Sequence, residues 1–225
     1  MTDEKVSIPS LVPAMILRDA VLFPKAMMPL RIFEERYRRM LDDALLGNRM
    51  FAVAGSKQVE DYSASDTETP CDIATVGLIR VSKKHDDGTS FILLQGIERV
   101  RIHSIHSESP YPILEVETIE TEVDDSAIGL RDQLVVELKR NQELGGEVTD
   151  EIMDFLDPLE DDVSFVNLAA FSLCKQSLRK QAMLEVSSLG KRASMLLDDL
   201  MRENDRLSLL NKALGDIPHE DFDSN

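Results

Sequence analysis

The sequence predicts an α+β protein, with a β-rich N-terminal half carrying one helix and an all-helical C-terminal half. Two observations predict it. Between residues 73 and 118, strand-length apolar runs, several alternating with period two, are separated by glycine and proline signals, and from Asp124 onward the apolar residues recur at intervals of three and four. The change of period near residue 120 divides the chain into 1–120, 121–215 and a frayed acidic tail at 216–225.

Composition narrows what such a chain can be. With 225 residues, 43% hydrophobic and 30% charged, it is expected to be a globular protein able to bury one large core or two small ones. No segment approaches the roughly 18 uninterrupted apolar residues that a membrane span needs. MTDEKVSIPS carries acidic residues where a secretory signal needs basic ones, so a cytoplasmic location is expected. Cys71 and Cys174 are far apart and are expected to stay reduced. A formal net charge of -17 repels phosphate backbones and anionic bilayers, which argues against nucleic acid and membranes as partners. The charge is uneven, since residues 1–60 hold nine Lys/Arg against eight Asp/Glu.

Taken in order, residues 11–17 and 27–33 are apolar runs interrupted by Pro13 and Pro29, which suits edge strands or strand starts because proline donates no ladder hydrogen bond. A crossover containing Pro24 joins them. Tyr37, Met40, Leu41, Ala44 and Leu45 lie on one face of a three-turn helix, with Gly47-Asn48 as its stop. A short buried strand at 50–54 and a polar loop at 55–72 follow. Residues 73–82 and 89–95 form a hairpin around Asp87-Gly88. After Gly96, expected to be a tight turn or bulge, 97–106 places Val100 and Ile102 on one face and Arg99, Arg101 and His103 on a wet one. Pro110-Tyr111-Pro112 then turns the chain into a last alternating strand. Six or seven strands suffice for a small closed barrel or a sandwich.

The helical half opens at 125–144 and is stopped by Gly145-Gly146. A helix at 149–156, a nearly all-apolar one beginning DDVSFVNLAAF, and a short one at 179–187 follow. A long helix at 191–214 carries leucines near heptad spacing, interrupted by Glu203 and Asn204, and is expected to pack on its own bundle rather than on another chain.

Catalytic motifs are weak throughout. Gly190-Lys191 lacks the first glycine and the Ser/Thr of a phosphate-cradling loop. Ser188 and Lys191 have the spacing of a serine-lysine pair, but a helix cap explains them better. His103 and His106 point to opposite faces of a strand and cannot share a metal. The acidic run from Asp150 to Asp162 lacks the alternating ligands and central glycine of a calcium loop. The expectation is no catalytic residue, no metal and no cofactor; the alternative is an enzyme whose site the sequence does not advertise. Met27-Met28 is soft, adaptable apolar surface of the kind that promiscuous binders use, or else core packing.

Three stretches resemble the N-terminal domain of Lon proteases. They are Leu17-Arg18-Asp19-Ala20-Val21-Leu22-Phe23-Pro24 with Met28-Pro29-Leu30, then Gly77-Leu78-Ile79 through Gly96-Ile97-Glu98-Arg99-Val100-Arg101-Ile102 to Pro110-Tyr111, and finally Lys180-Gln181-Ala182-Met183-Leu184-Glu185. The resemblance implies a PUA-like small β-barrel with one helix followed by a helical bundle. It also implies a free-standing, non-enzymatic copy of a substrate-recognition domain, without the Walker A loop and Ser-Lys dyad of full-length members. Partners would then be unfolded or tagged proteins and peptides, or a separate protease or ATPase on which the chain docks as an adaptor; no oligomeric state is implied. In that family, charged residues at the start of the matching helix are implicated in substrate contact, and by position these are Glu35, Arg36 and Arg39. The competing reading is a solvated helix face with i,i+4 pairs such as Glu35 with Arg39.

Overall fold

The computed structural model describes residues 6–57 and 69–215. The frayed tail expected at 216–225 and most of the polar loop expected at 55–72 lie outside the described residues. Six strands, β1 (Leu11–Leu17), β2 (Met27–Ile32), β3 (Met50–Ser56), β4 (Pro70–Lys84), β5 (Ser90–Ser107) and β6 (Ile113–Thr118), form one mixed sheet in the order β2-β5-β4-β3-β1-β6. β1 and β3 run parallel and the remaining pairs antiparallel. The long β5 pairs with β2 through residues 90–95 and, further on, with β6 through residues 100–107. One helix, α1 (Glu35–Leu46), sits between β2 and β3.

Residues 89–95 and 97–106, expected as separate runs about Gly96, are a single strand with a bulge. Val76 pairs with Glu98 and Gly77 with Gly96, leaving Ile97 as the extra residue. The crossover from β1 to β2 passes directly over this point. A Cβ on Gly96 would fall 2.1 Å from the Phe23 carbonyl oxygen. Gly96 donates its N–H to Ala26 O at 2.9 Å, and Lys25 donates to Gly96 O at 2.8 Å.

The two faces of the sheet are filled differently. Val12, Ala14 and Ile16 of β1 pack with Ala52, Ala54, Val76, Val100, Leu114 and Val116 in one compact cluster. The other face and α1 join the helical half in a larger one. α1 is seated by Tyr37, whose hydroxyl accepts from Ile16 N–H at 3.2 Å.

After a single 3-10 turn at Asp125–Ala127 come α2 (Leu130–Glu143), α3 (Asp150–Leu156), α4 (Asp162–Leu173), α5 (Ser177–Glu185) and α6 (Leu189–Gly215). α2 ends as the glycine pair predicts. Gly145 adopts φ 73°, while Gly145 N–H reaches Gln142 O and Gly146 N–H reaches Asn141 O. Phe165, Val166, Leu168, Ala169 and Ala170 of α4 are all buried, as its apolar run anticipates.

One expectation fails at Arg99. Period-two alternation assigns it to a wet face, but the side chain is 1% exposed. Alternation gives the face of a strand and not what covers it. Here the α5–α6 connection lies over that face at Arg99, whereas Arg101 and His103 further along remain exposed.

Candidate functional site

α1 places its charged residues around the outer side of a helix whose inner side is Tyr37, Met40, Leu41 and Ala44. Each charge goes its own way. Glu35 and Arg39 are exposed, and Arg36 is half-buried. Arg36 turns back over the Tyr37 ring, 4.4 Å from its centroid, and its Nε pairs with Glu34 Oε2 at 3.0 Å. Further along α1, Asp42 Oδ1 lies 3.5 Å from Lys84 Nζ of β4. Arg38 lies against the β4–β5 hairpin tip, where a Cβ on Gly88 would fall 2.3 Å from its Nη2. The charge of Arg39 is felt by Tyr111, whose hydroxyl donates to Asp43 Oδ2 at 2.8 Å and whose pKa is raised by burial first and by that bond second.

The methionines of β2 divide between two environments. Met27 is 39% exposed, whereas Met28 is 8% exposed and packs in the larger core. Alternation along β2 explains this, since neighbouring residues of a strand face opposite ways. On the side of Met27 an apolar strip crosses three strands. Register places Pro29 of β2 beside Leu93 of β5 and Val81 of β4 beside the same Leu93, while Arg31 and Lys83 flank Phe91. Phe91 and Val81 are exposed, as is Phe33 between β2 and α1. Arg31 stacks over Phe91 at 5.9 Å. Sequence reading found Met27 but missed Phe33, Val81 and Phe91. The outward positions in Ser90-Phe91-Ile92-Leu93 carried the signal, but only the strand register brings those side chains beside β2.

The weak catalytic candidates resolve into structure. Ser188 Oγ accepts from Lys191 N–H at 3.2 Å, a helix cap. Gly190 packs on the 3-10 turn, a Cβ there falling 2.0 Å from Ser126 Oγ. His103 Nε2 lies 3.3 Å from Glu117 Oε2. Among the described residues no group of three or more His, Cys, Asp or Glu is arranged to hold a metal, and no helix is long and apolar enough to cross a membrane.

A family model described as the ATP-dependent protease La (LON) substrate-binding domain matches residues 11–202. Among curated relatives, a Lon protease of Trichlorobacter lovleyi is 28% identical over 215 residues, covering 93% of this chain and 26% of that protein. Lon protease 2 of Desulfotalea psychrophila is 30% identical over 203 residues, covering 85% of this chain and 25% of that protein. The chain thus spans about a quarter of the length of the relatives it matches. Two solved structures share the fold. The N-terminal domain of Mycobacterium avium complex Lon protease superposes with a TM-score of 0.64 at 18% identity, covering 85% of this chain and 98% of that one. A Lon N-terminal domain protein from Xanthomonas campestris gives 0.60 at 21% identity, covering 84% and 98%. The mixed sheet, the helices that follow it and a family match running from residue 11 to residue 202 lead to one conclusion: the chain belongs to the LON substrate-binding domain family.

Proposed function

We propose that this chain is a non-enzymatic module that binds exposed apolar segments of unfolded or tagged proteins. The contact surface is the strip of Met27, Pro29, Val81, Phe91 and Leu93, with the Glu35, Arg36 and Arg39 face of α1 at its border. The observation that carries the reading is the strip itself. Large apolar side chains left open side by side on a sheet, among Arg31 and Lys83, are the kind of surface that marks an interaction site. Met28, being buried, supports the strip from beneath rather than touching a client. Residues 1–120 would form a PUA-like barrel that presents this surface, a reading supported by β5 pairing with both β2 and β6. Residues 121–215 would be a helical subdomain that braces it.

The test is Arg36→Glu with Arg39→Glu. Neither side chain belongs to the buried core, and the stacking of Arg36 on Tyr37 and its pairing with Glu34 contribute on the order of 1 kcal/mol, so thermal stability should fall only slightly. Rim charges set encounter rate and salt dependence, and residues 1–60 are the least acidic part of the chain. Binding of a denatured, fluorescently labelled client should therefore weaken at low salt, mainly in association rate, with the difference shrinking at high salt. Equal affinities at low salt would leave α1 a solvated face. Phe91→Ser then asks whether the apolar strip binds clients by itself.

A further inference from the structure

The helical half holds a concave surface of its own, to which no residue of the β-rich half contributes. It is a cleft of about 700 Å³ between the end of α2, the α4–α5 connection and α6, a size typical of ligand sites. Leu173, Leu196 and Leu200 form an apolar floor. Charged residues make the rim, and they are layered by depth. Asp199, 25% exposed, is gripped by Arg179 Nε at 2.9 Å and by Arg202. Glu203, 37% exposed, is held by Arg206 at 2.6 Å. Arg202 and Arg206 stand higher, at 71% and 65%, and Lys175, at 70%, pairs with Glu147.

Asp199 and Glu203 are thus turned inward onto their partners while Lys175, Arg202 and Arg206 stand outward, whereas Glu147 at 53% exposure and Arg179 at 32% do not follow that order. The bond from Arg206 lowers the pKa of Glu203, keeping it ionised and engaged. A guanidinium has five N–H donors, and one carboxylate engages at most two of them, so donors remain at the mouth. Four cations against three carboxylates is a local positive excess in a chain of net charge -17. Charges elsewhere on the chain are screened beyond about 10 Å at 0.1 M salt, so a ligand at the mouth feels the rim first.

We propose that this cleft binds an extended acidic peptide segment of a partner protein, seating one apolar side chain on the leucine floor with flanking carboxylates held by Lys175, Arg202 and Arg206. The proposal rests on the protein-binding reading for its class of partner, but its residues are separate from those of α1 and the apolar strip. It gives the chain a second, charge-selective contact.

The probe is a short fluorescein-labelled peptide of Asp and Glu around two central leucines, titrated at low and high salt. Wild type should bind it saturably. Arg202→Glu with Arg206→Glu should weaken binding about tenfold or more, equivalent to about 1.4 kcal/mol or more. High salt should weaken it too, and replacing the peptide leucines by serine should abolish it. Lys175→Glu serves as an independent rim variant, and hydrogen exchange on wild type should slow at residues 173–176 and 196–206 when the peptide is added. Equal affinity of wild type and both rim variants would overturn the proposal, as would a serine peptide that binds as well as its parent. So would a wild-type dimer in sedimentation that the rim variants dissolve, since the occupant would then be a second copy. Arg36→Glu with Arg39→Glu separates the two readings. If it alone abolishes peptide binding, the cleft proposal falls and the α1 surface stands; if the peptide binds at the cleft while denatured clients do not bind at all, only the client reading falls.

Discussion

Two of the largest fully buried side chains are arginines, Arg99 at 1% and Arg192 at 0% exposure. Neither has a carboxylate partner among its recorded hydrogen bonds. Arg99 donates through Nη1 to Leu184 O and Val186 O, both at 2.8 Å, and through Nη2 to Glu120 O and Thr121 Oγ1, both at 3.1 Å. Arg192 donates to Met183 O, Asn167 Oδ1 and Val186 O. Their shared acceptor, Val186 O, and the carbonyls of Met183 and Leu184 lie where α5 ends, and the last carbonyls of a helix lack partners within it and carry partial negative charge. Burial, and then the charge of Arg99, push Arg192 down to about 9, and burial lowers Arg99 as well. Both guanidiniums remain protonated at neutral pH; Arg99 clasps the sheet to the end of α5, and Arg192 clasps α6 to α4 and α5. Arg99→Leu removes this donor from Leu184 O, Glu120 O and Thr121 Oγ1, while Val186 O keeps Arg192. At about 1–3 kcal/mol for each buried acceptor left unsatisfied, it should cost about 3–5 kcal/mol in urea unfolding. The exposed neighbour Arg101→Leu should cost little. A loss under about 1 kcal/mol at Arg99 would mean that water or a repacked chain takes over its bonds.

At the scale of elements, the pairing of α2 with α6 depends on a polar contact within an apolar seam. Asn204, which in sequence only interrupts the leucines of α6, is fully buried. It accepts from Asn141 Nδ2 at 2.7 Å and donates to Glu137 O at 2.9 Å and Glu137 Oε2 at 2.8 Å, while Asn141 Oδ1 accepts from Val148 N–H. Such a network favours one register, because sliding the helices by a turn parts Asn204 from both Asn141 and Glu137. Asn204→Leu should therefore destabilise by about 1–3 kcal/mol although it restores the apolar repeat, since the Asn141 amide is left without its acceptor. A double-mutant cycle with Asn141→Leu reads the coupling directly, and additive effects would dismiss the network. Beyond Asn204 the leucine repeat outruns its partner. α2 ends at Glu143, and Leu209, Leu210 and Leu214 of α6 are exposed.

For the molecule as a whole, the decisive feature is that one hydrophobic cluster crosses the boundary near residue 120. It joins Phe23, Tyr37, Phe51 and Leu94 of the β-rich half to Leu134, Phe165, Met183 and Leu196 of the helical half. Polar ties reinforce it, with Gln181 of α5 donating to Ile73 O of β4 at 2.9 Å and Arg99 of β5 donating to Leu184 O of α5 at 2.8 Å. A core shared in this way should unfold as one unit. Urea transitions followed by far-UV circular dichroism, which weights the helices, and by hydrogen exchange of β4 and β5 amides should share one midpoint. Separate midpoints would show that each half holds itself together.

The sequence alone determined the class, the passage from a strand half to a helical half, the stops at Gly145-Gly146 and the cap at Ser188, because all of these arise from local rules: side-chain period, backbone freedom and the geometry of a helix end. It also placed Glu35, Arg36 and Arg39 on the outer side of α1, since helical spacing from Tyr37 and Met40 leaves no other arrangement. Tertiary structure alone decided the rest. Arg99 is buried because a connection 85 residues away lies over it, and period-two alternation does not encode that. Val81 and Phe91 form one surface with Met27 only through the register of β2, β5 and β4. The arginine-rimmed cleft takes its residues from positions 141 to 206, and packing, not position along the chain, turns Asp199 and Glu203 inward and leaves Lys175, Arg202 and Arg206 outward. Contacts between residues distant in sequence depend on packing, and packing is settled by the whole chain at once.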